Sequence, residues 1–316
     1  MNISTGKLAV VLPCFNEEAV LPETISRLEK LMDERLQDIL IDDYILLFVD
    51  DGSSDSTWKI IEEAHAKDSH VKGLKLACNV GHQNALMAGL EHAKSMADMI
   101  VSIDCDLQDD IEVIPEMVKK YSEGFDIVFG VRSSRKVDSW FKRTSALAFY
   151  KLMGALGVRT IYNHADFRLL SRRAVEHLCT FRERNLFLRG MVPLIGYAST
   201  SVYYNRQRRV AGTTKYPFRK MMNFAIDGIT SFSVKPVRLV MTMGILFITV
   251  AFIILLYAII AYWTGNVVPG WTSLILSVWF VGGCILMGLG IIGEYVGKIY
   301  IEVKDRPRFN IEKVID

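Results

Sequence analysis

The fold is decided by the stretch MIVSIDCDLQDD at residues 99–110. Its first part, 99–103, is a short uncharged run rich in β-branched residues, which predicts a buried strand. The second part, 104–110, changes abruptly to acidic and amide side chains. In open α/β sheets, ligands bind at the carboxyl ends of the strands, so this change marks a candidate site.

The same pattern is repeated along the first 210 residues. Apolar strand-like runs alternate with helical patterns, and they lie at 8–12, 44–49, 71–76, 99–103 and 126–129. This alternation predicts an α/β fold with a mainly parallel sheet that helices cover on both faces. Polar loops follow each run, at 13–18, 50–55, 79–83, 104–110 and 130–132. One such loop would be unremarkable, whereas five at one edge of a sheet indicate a binding site.

The loop after the fourth strand carries the sharpest chemistry. Asp104 and Asp106 are two residues apart, so both carboxylates can face one cation. Hard oxygen ligands favour Mg²⁺ or Mn²⁺, which bridge carboxylates to substrate phosphates. The alternative is a solvated acidic turn in which Asp109 or Asp110 caps a helix.

Composition excludes several classes of protein. The chain of 316 residues is 51% hydrophobic and 23% charged, with a net charge of +2. Such hydrophobicity excludes intrinsic disorder, and the near-neutral charge gives no support for nucleic acid as a partner. The five cysteines form no CxxC pair, which argues against a disulfide framework and fits a reducing compartment.

The apolar excess is concentrated near the C-terminal end. No Asp, Glu, Lys or Arg occurs from Leu239 to Gly293, a length that suits two membrane spans of ~20 residues each. We place them near 238–262 and 271–295, with a Gly- and Pro-containing break between them. The alternative is a buried helical hairpin in a soluble protein. Basic residues flank both outer ends, so the positive-inside rule predicts a multi-pass protein of the cell membrane with its N-terminal part in the cytoplasm.

Taken together, the motifs resemble glycosyltransferase family 2. The resemblance rests on PCFNEE (13–18), VDDGSSDST (49–57), NVGHQ (79–83), DCDLQDD (104–110) and GVR (130–132). Segments 165–173 and 209–216, with the two spans, narrow it to the polyprenyl-phosphate glycosyltransferases, which include bactoprenol glucosyltransferases and dolichyl-phosphate mannose synthase. The resemblance implies a GT-A fold. One departure is that the family commonly has DADLQDPPE where this chain has DCDLQDDIE.

The resemblance also implies roles for particular residues. The nucleotide pocket would be lined by Pro13, Phe15, Glu17, Val49 and Asp51. The metal, Mg²⁺ or Mn²⁺, and the diphosphate would be held by Asp104, Asp106 and Gln108. The phosphate-facing cations would be Arg132, Arg143, Arg209 and Lys215. Two of these positions have plain alternatives: Glu17 as a helix-start acid and Arg143 as a surface charge. His82, at the same edge of the sheet, is either a helix-start residue or a contact to the donor.

One further carboxylate is a candidate for catalysis beside Asp104, Asp106 and Arg132. Asp166 could orient the acceptor or act as a base, or it could form a salt bridge to Arg168 or Arg172. We also expect the basic segment 206–216 to close over the donor.

The implied reaction is inverting transfer of one sugar, with glucose favoured, from a nucleotide-diphosphate sugar, with UDP favoured, to undecaprenyl phosphate at the cytoplasmic face. The implied organisation has four parts: a GT-A domain (1–215), an interfacial amphipathic segment (216–237), a transmembrane hairpin (238–297) and a cytoplasmic tail (298–316). Membrane lipid, a homo-oligomer and a small membrane flippase are the further expected partners. Two alternatives are a processive polysaccharide synthase and a non-catalytic scaffold of the same fold. Against the first, the chain has no QxxRW motif; against the second, Asp104 and Asp106 are both present.

Overall fold

The computed structural model describes residues 6–35, 41–133, 164–184, 186–205, 235–264 and 270–316. Its strands are β1 (Gly6–Cys14), β2 (Ile41–Asp50), β3 (Val71–Leu76), β4 (Met99–Ser102), β5 (Ile127–Arg132), β6 (His164–Ser171), β7 (Ser199–Tyr204) and β8 (Ile311–Ile315). Its α-helices are α1 (Leu21–Arg35), α2 (Thr57–His65), α3 (His82–Ala93), α4 (Ile114–Ser122), α5 (Arg172–Cys179), α6 (Leu188–Met191), α7 (Lys235–Trp263) and α8 (Trp271–Val303). Short 3₁₀ helices lie at Ile111–Val113 and Val192–Ile195.

The eight strands form one sheet in the order β7-β5-β6-β4-β1-β2-β3-β8. The block β4-β1-β2-β3 is parallel, as is the pair β5-β7, whereas β6 and β8 run antiparallel to their neighbours. The prediction of a mainly parallel α/β sheet is therefore confirmed, and all five predicted strands of the first 132 residues are present. The antiparallel strands β6 and β8 make the sheet mixed.

Helices cover both faces of the sheet, which is why β1 is buried along almost its whole length. One face packs against α1 and α4, and the other packs against α3 and α5. The approach of α3 is especially close at Gly89, where an added Cβ would lie 2.4 Å from Val11 Cγ1 and 2.7 Å from Val49 Cγ2. A side chain there would force α3 away from the sheet. This contact therefore fixes the N-terminal end of α3 beside the carboxyl ends of the strands.

The helices α7 and α8 contain the apolar stretch. Within the described residues, one segment, Phe280–Val303, is long and apolar enough to cross a bilayer, with a mean hydropathy of 1.6. A shorter apolar helical segment lies at Pro236–Phe247. The segment Phe280–Val303 overlaps the second predicted span, 271–295, and the presence of two spans stays a prediction.

After α8 the chain returns to the sheet. Strand β8 pairs with β3, and Ala77 N donates to Asn310 O at 2.9 Å. The backbone N–H of Arg184 donates to the Glu302 carboxylate at 2.7 and 2.9 Å, which ties the end of α8 to the segment before α6. The segment 298–316, expected as a tail, therefore contains the last turns of α8 and an edge strand of the sheet.

Candidate active site

The loops after β1 and β2 brace one another. Asn16, whose φ of 54° places it in the left-handed region, accepts from Ser54 N through Oδ1 and donates from its own N–H to Ser53 Oγ, both at 2.9 Å. The N–H of Glu17 donates to Thr57 Oγ1 at 2.9 Å, while its carbonyl accepts from the start of α1. Phe15 lies at the tip of this unit and is 40% exposed, so its ring is available to a ligand.

Two residues predicted to line the nucleotide pocket lie deeper. Pro13 and Val49 are partners in the pairing of β1 with β2, and both are buried. The Val49 side chain packs toward Gly89 of α3. Their side chains belong to the core beneath the loops, so a ligand would meet the backbone there.

Asp51 braces the loop after β3. Its buried carboxylate accepts from Val80 N at 2.8 Å, Gly81 N at 3.0 Å and Asn79 Nδ2 at 3.1 Å. Burial raises the pKa of Asp51, and these hydrogen bonds oppose that rise. Gly81 has a φ of 88°, which glycine adopts without strain. The observed role of Asp51 is to shape the turn that begins α3.

The predicted metal-binding residues follow β4. Oδ1 of Asp104 is buried and makes no hydrogen bond, although His82 Nε2 lies 3.4 Å away. Burial raises the pKa of Asp104 to about 6; His82 opposes the rise, and Asp109, Asp166 and Asp106 add to it. Asp106 Oδ1 accepts from Gln108 N at 3.1 Å across a turn in which Leu107 has a φ of 54°.

This donor set fits a hard divalent cation. A buried carboxylate oxygen that makes no hydrogen bond and lies among like charges is costly, and a cation would reduce that cost. Among the described residues, no group of three or more acidic, His or Cys side chains forms a complete metal site. Mg²⁺ and Mn²⁺ commonly take only one or two protein carboxylates and complete their shells with water and phosphate.

Arg132 is the last residue of β5, which extends through 130–132, the segment predicted as a loop, and its side chain pairs with the loop after β4. Its Nη2 donates to Asp109 Oδ1 at 2.9 Å, and the Tyr204 hydroxyl donates to that oxygen at 2.5 Å. Asp110, not Asp109, caps the following 3₁₀ helix by accepting from Glu112 N at 3.2 Å. The capping role that was left open between these two residues therefore belongs to Asp110.

Asp166 on β6 is held by two arginines. Arg168 donates to its Oδ1, and Arg189 Nη2 donates to its Oδ2 at 3.0 Å. Although burial acts to raise the pKa of Asp166, Arg189 and Arg168 hold it well below its usual range. An ionised carboxylate with two cationic partners is a weak base. Of the two salt bridges left open, the one to Arg168 is observed, whereas Arg172 pairs with Asp98 at 3.0 Å.

The remaining predictions fall outside the described residues. Arg143, Arg209, Lys215 and the segment 206–216 lie there, as does most of 216–237. Two functional candidates were missed by sequence reasoning. Arg189 sits on a helix of four residues and follows no predicted strand, so no pattern marked it. Tyr204 ends the strand STSVYY, and its partner Asp109 is 95 residues away.

Comparison with known proteins identifies the family. The sequence profile of Glycosyl transferase family 2 matches residues 9–179. An uncharacterized glycosyltransferase of Bacillus subtilis (strain 168), YkoT, is 52% identical over 99% of this chain and 93% of its own length. The SfII prophage-derived bactoprenol glucosyl transferase of Shigella flexneri is 40% identical over 97% of this chain and 98% of its own. The prophage bactoprenol glucosyl transferase homolog of Escherichia coli (strain K12) is 40% identical over 98% and 99%.

Among solved structures, the mannosyltransferase PcManGT of Pyrobaculum calidifontis, in complex with GDP-Man and Mn²⁺, aligns over 96% of this chain and 86% of its own. Its identity is 14% and its TM-score is 0.46, a likeness too weak to inform function. The family match and the full-length relatives decide the assignment: the chain belongs to glycosyl transferase family 2.

Proposed function

We propose that the protein transfers one sugar, with glucose favoured, from a UDP-sugar to undecaprenyl phosphate, with inversion at the anomeric carbon. The acceptor is inferred from relatives named bactoprenol glucosyl transferase that are 40% identical over nearly the full chain. The observation that carries the chemistry is the buried Oδ1 of Asp104, which makes no hydrogen bond and lies near Asp106 in the chain at the carboxyl end of the sheet.

The chain's own residues would divide the work as follows. Asp104 and Asp106, with Gln108, would hold Mg²⁺ or Mn²⁺, which supplies charge neutralisation for the departing diphosphate. Phe15 would stack on the base, and Arg132 would face a phosphate group. A phosphoryl oxygen of the acceptor attacks the anomeric carbon, and the bond from that carbon to the diphosphate oxygen breaks.

No protein base is needed in this scheme. A phosphate monoester has a second pKa of about 6, so the acceptor is largely a dianion at pH 7. The depressed pKa of Asp166 agrees with this, because that carboxylate has no tendency to take a proton. Asp166 instead keeps Arg168 and Arg189 in place near His82, whose Nε2 lies 3.8 Å from Asp166 Oδ2.

The proposal includes a membrane arrangement. Helices α7 and α8 would form a hairpin that crosses the cell membrane twice, with residues 1–215 and 298–316 in the cytoplasm and 216–237 at the interface. The apolar segment Phe280–Val303 supports one crossing. The return of β8 to the sheet supports both ends of the hairpin lying on the same side of the membrane, because β8 pairs directly with β3.

The test uses membranes that contain the full chain. They are incubated with Mn²⁺ or Mg²⁺, undecaprenyl phosphate and one radiolabelled donor at a time, namely UDP-glucose, UDP-galactose, UDP-N-acetylglucosamine or GDP-mannose. We expect label from UDP-glucose to enter the organic phase, with one sugar per lipid. Label in a growing polysaccharide would favour the processive alternative.

Two variants serve as controls that distinguish enzymatic labelling of the lipid from unreacted donor that enters the organic phase. Membranes with Asp106→Asn should give no labelled lipid, whereas those with Asp110→Asn should retain activity, since Asp110 caps a 3₁₀ helix. If no donor labels the lipid phase in membranes with the unaltered protein, the proposed function is wrong.

A further inference from the structure

Arg132, Asp109 and Tyr204 form a closed hydrogen-bonded network at the carboxyl end of the sheet. Arg132 donates to Asp109 Oδ1 from Nη2 at 2.9 Å and from Nε at 3.3 Å. The Tyr204 hydroxyl donates to the same oxygen at 2.5 Å and accepts from Arg132 Nε at 3.3 Å. Each of the three side chains therefore contacts both of the others.

The network is buried, so its geometry is restricted. The Asp109 side chain is 1% exposed, and that of Arg132 is 23% exposed. A buried charge needs a partner of opposite sign, and Asp109 and Arg132 supply one another with that partner in an ion pair. Burial, followed by the charge of Asp109, raises the pKa of Tyr204 above its usual value, so the hydroxyl keeps its proton and remains a donor.

Tyr204 is itself fixed from two directions. Its ring packs edge-on against the ring of the buried Phe167, with centroids 5.5 Å apart and an interplanar angle of 77°. Its carbonyl accepts from Ser133 N at 2.8 Å and from Ser133 Oγ at 3.0 Å, which joins the ends of β7 and β5. The hydroxyl of Tyr204 is thus presented to Arg132 at a set position.

Asp109 connects this network to the proposed cation site. It belongs to the same loop as Asp104 and Asp106, and its charge acts on Asp104. Its second oxygen, Oδ2, is buried and makes no hydrogen bond, so Asp109 depends on Arg132 and Tyr204 through Oδ1 alone. A shift of Arg132 would leave this carboxylate buried without a cation.

We propose that Asp109 and Tyr204 are positioning residues that fix the guanidinium of Arg132 so that it faces a substrate phosphate held beside Asp104 and Asp106. The proposal rests on the proposed function. An arginine offers planar, paired donors to phosphate, and its value depends on the orientation of that plane. Two partners at its Nε edge set the plane before the substrate arrives, so less ordering is required on binding.

The decisive experiment is a double-mutant cycle on the full chain. Tyr204→Phe removes the hydroxyl and keeps the ring against Phe167; Arg132→Lys keeps the charge and removes the planar fork. The matched control is Tyr203→Phe, because Tyr203 is the preceding residue on β7 and is 67% exposed. Two binding arms are measured with each variant: UDP with Mn²⁺, and undecaprenyl phosphate in vesicles. The first reports a donor phosphate and the second an acceptor phosphate.

We expect Tyr204→Phe to weaken binding of one of the two ligands, UDP with Mn²⁺ or undecaprenyl phosphate, about tenfold, as loss of a hydrogen bond to a charged group does. In the Arg132→Lys background the same change should cost less than about twofold, because the two residues act as one unit. Asp109→Asn should weaken the same arm as Tyr204→Phe, and Tyr203→Phe should match the wild type. A purely structural role for Tyr204 would lower the unfolding temperature equally in both backgrounds and give additive losses of binding.

Two results would overturn the proposal: wild-type binding in both arms for Tyr204→Phe, or full additivity with Arg132→Lys. Both arms measure binding and do not need turnover. If the cycle is non-additive but no sugar reaches the lipid, the proposed function fails and the positioning role of Tyr204 stands.

Discussion

Asp104 and Asp166 lie at the same edge of the sheet and within reach of the same histidine, yet their surroundings shift their pKa values in opposite directions. Asp104 has a buried oxygen without a hydrogen bond, and burial raises its pKa to about 6. Asp166 is held by Arg168 and Arg189, and its pKa lies well below the usual range.

The difference shows what each carboxylate can do. The charge of Asp104 has no full compensation within the described residues, so it is suited to receive a cation. The charge of Asp166 is already compensated, so it is suited to hold its arginines in place. Both residues are aspartates at the same edge of the sheet, Asp104 after β4 and Asp166 within β6, and the neighbouring charges separate the two roles.

The largest effect is expected at the cation site. Asp104→Asn should lower kcat by about a thousandfold or more, because electrostatic stabilisation of the leaving group is lost. The unfolding temperature of the metal-free protein should stay the same or rise, since the change removes a partly buried charge that desolvation and the neighbouring carboxylates disfavour. Turnover and thermal unfolding are measured on one preparation. A clear loss of stability would mean that Asp104 has a structural partner and would remove its contrast with Asp166.

The opposite pattern is expected at Asp166. Asp166→Asn leaves the buried Arg168 without its ion pair, and breaking a buried pair costs about 3–5 kcal/mol. Denaturant unfolding should show that loss directly. A general base would behave differently, with turnover abolished at unchanged stability, so that outcome would restore catalysis to Asp166. Asp98→Asn is the matched control, because the pair between Asp98 and Arg172 is largely exposed.

The raised pKa of Asp104 predicts how metal binding depends on pH. A carboxylate with a pKa of about 6 takes a proton below pH 6, and the proton then competes with the cation. The affinity for Mn²⁺ alone should therefore fall by up to about tenfold per pH unit below 6. Electron paramagnetic resonance of Mn²⁺ without nucleotide is the measurement, because the terminal phosphate of UDP titrates in the same range. An affinity that stays constant down to pH 5 would contradict the assignment.

The smallest effect is expected at an exposed ion pair, which serves as a reference for the other three predictions. Lys59 and Glu63 form an exposed pair on α2 with an N–O distance of 3.7 Å. Glu63→Gln should change the free energy of unfolding by less than about 0.5 kcal/mol. A change as large as that of Asp166→Asn would show that burial is not what separates these ion pairs.

The sequence predicted the parts of the site that depend on local pattern. Short apolar runs ending in polar loops located β1 to β5. The spacing of Asp104 and Asp106 predicts a cation site, and the Asp104 oxygen that makes no hydrogen bond agrees with that prediction. Arg132 was predicted at this edge of the sheet, although it ends β5 and does not lie in a loop after it. These features depend on residues that are near one another in the chain.

What the sequence could not give depends on contacts between distant residues. The expected contact of Asp51 with substrate stays a prediction, and what the sequence did not show is that its oxygens accept from backbone N–H groups of the loop after β3. Arg189 reaches Asp166 from a helix of four residues that has no periodic pattern. Strand β8 is short, carries charges at Glu312 and Lys313, and is formed only by pairing with β3.

The position of β8 has a consequence for the order in which the protein is made. Strand β3 leaves the ribosome more than 200 residues before its edge partner, and both long apolar helices are synthesised in between. During that time the edge of β3 has no strand beside it, and an open edge can pair with another chain. We expect completion of the sheet to wait until both helices have been made, because β8 follows them in the chain. If α7 and α8 form the proposed membrane hairpin, we expect β8 to close this edge only after the hairpin has entered the bilayer.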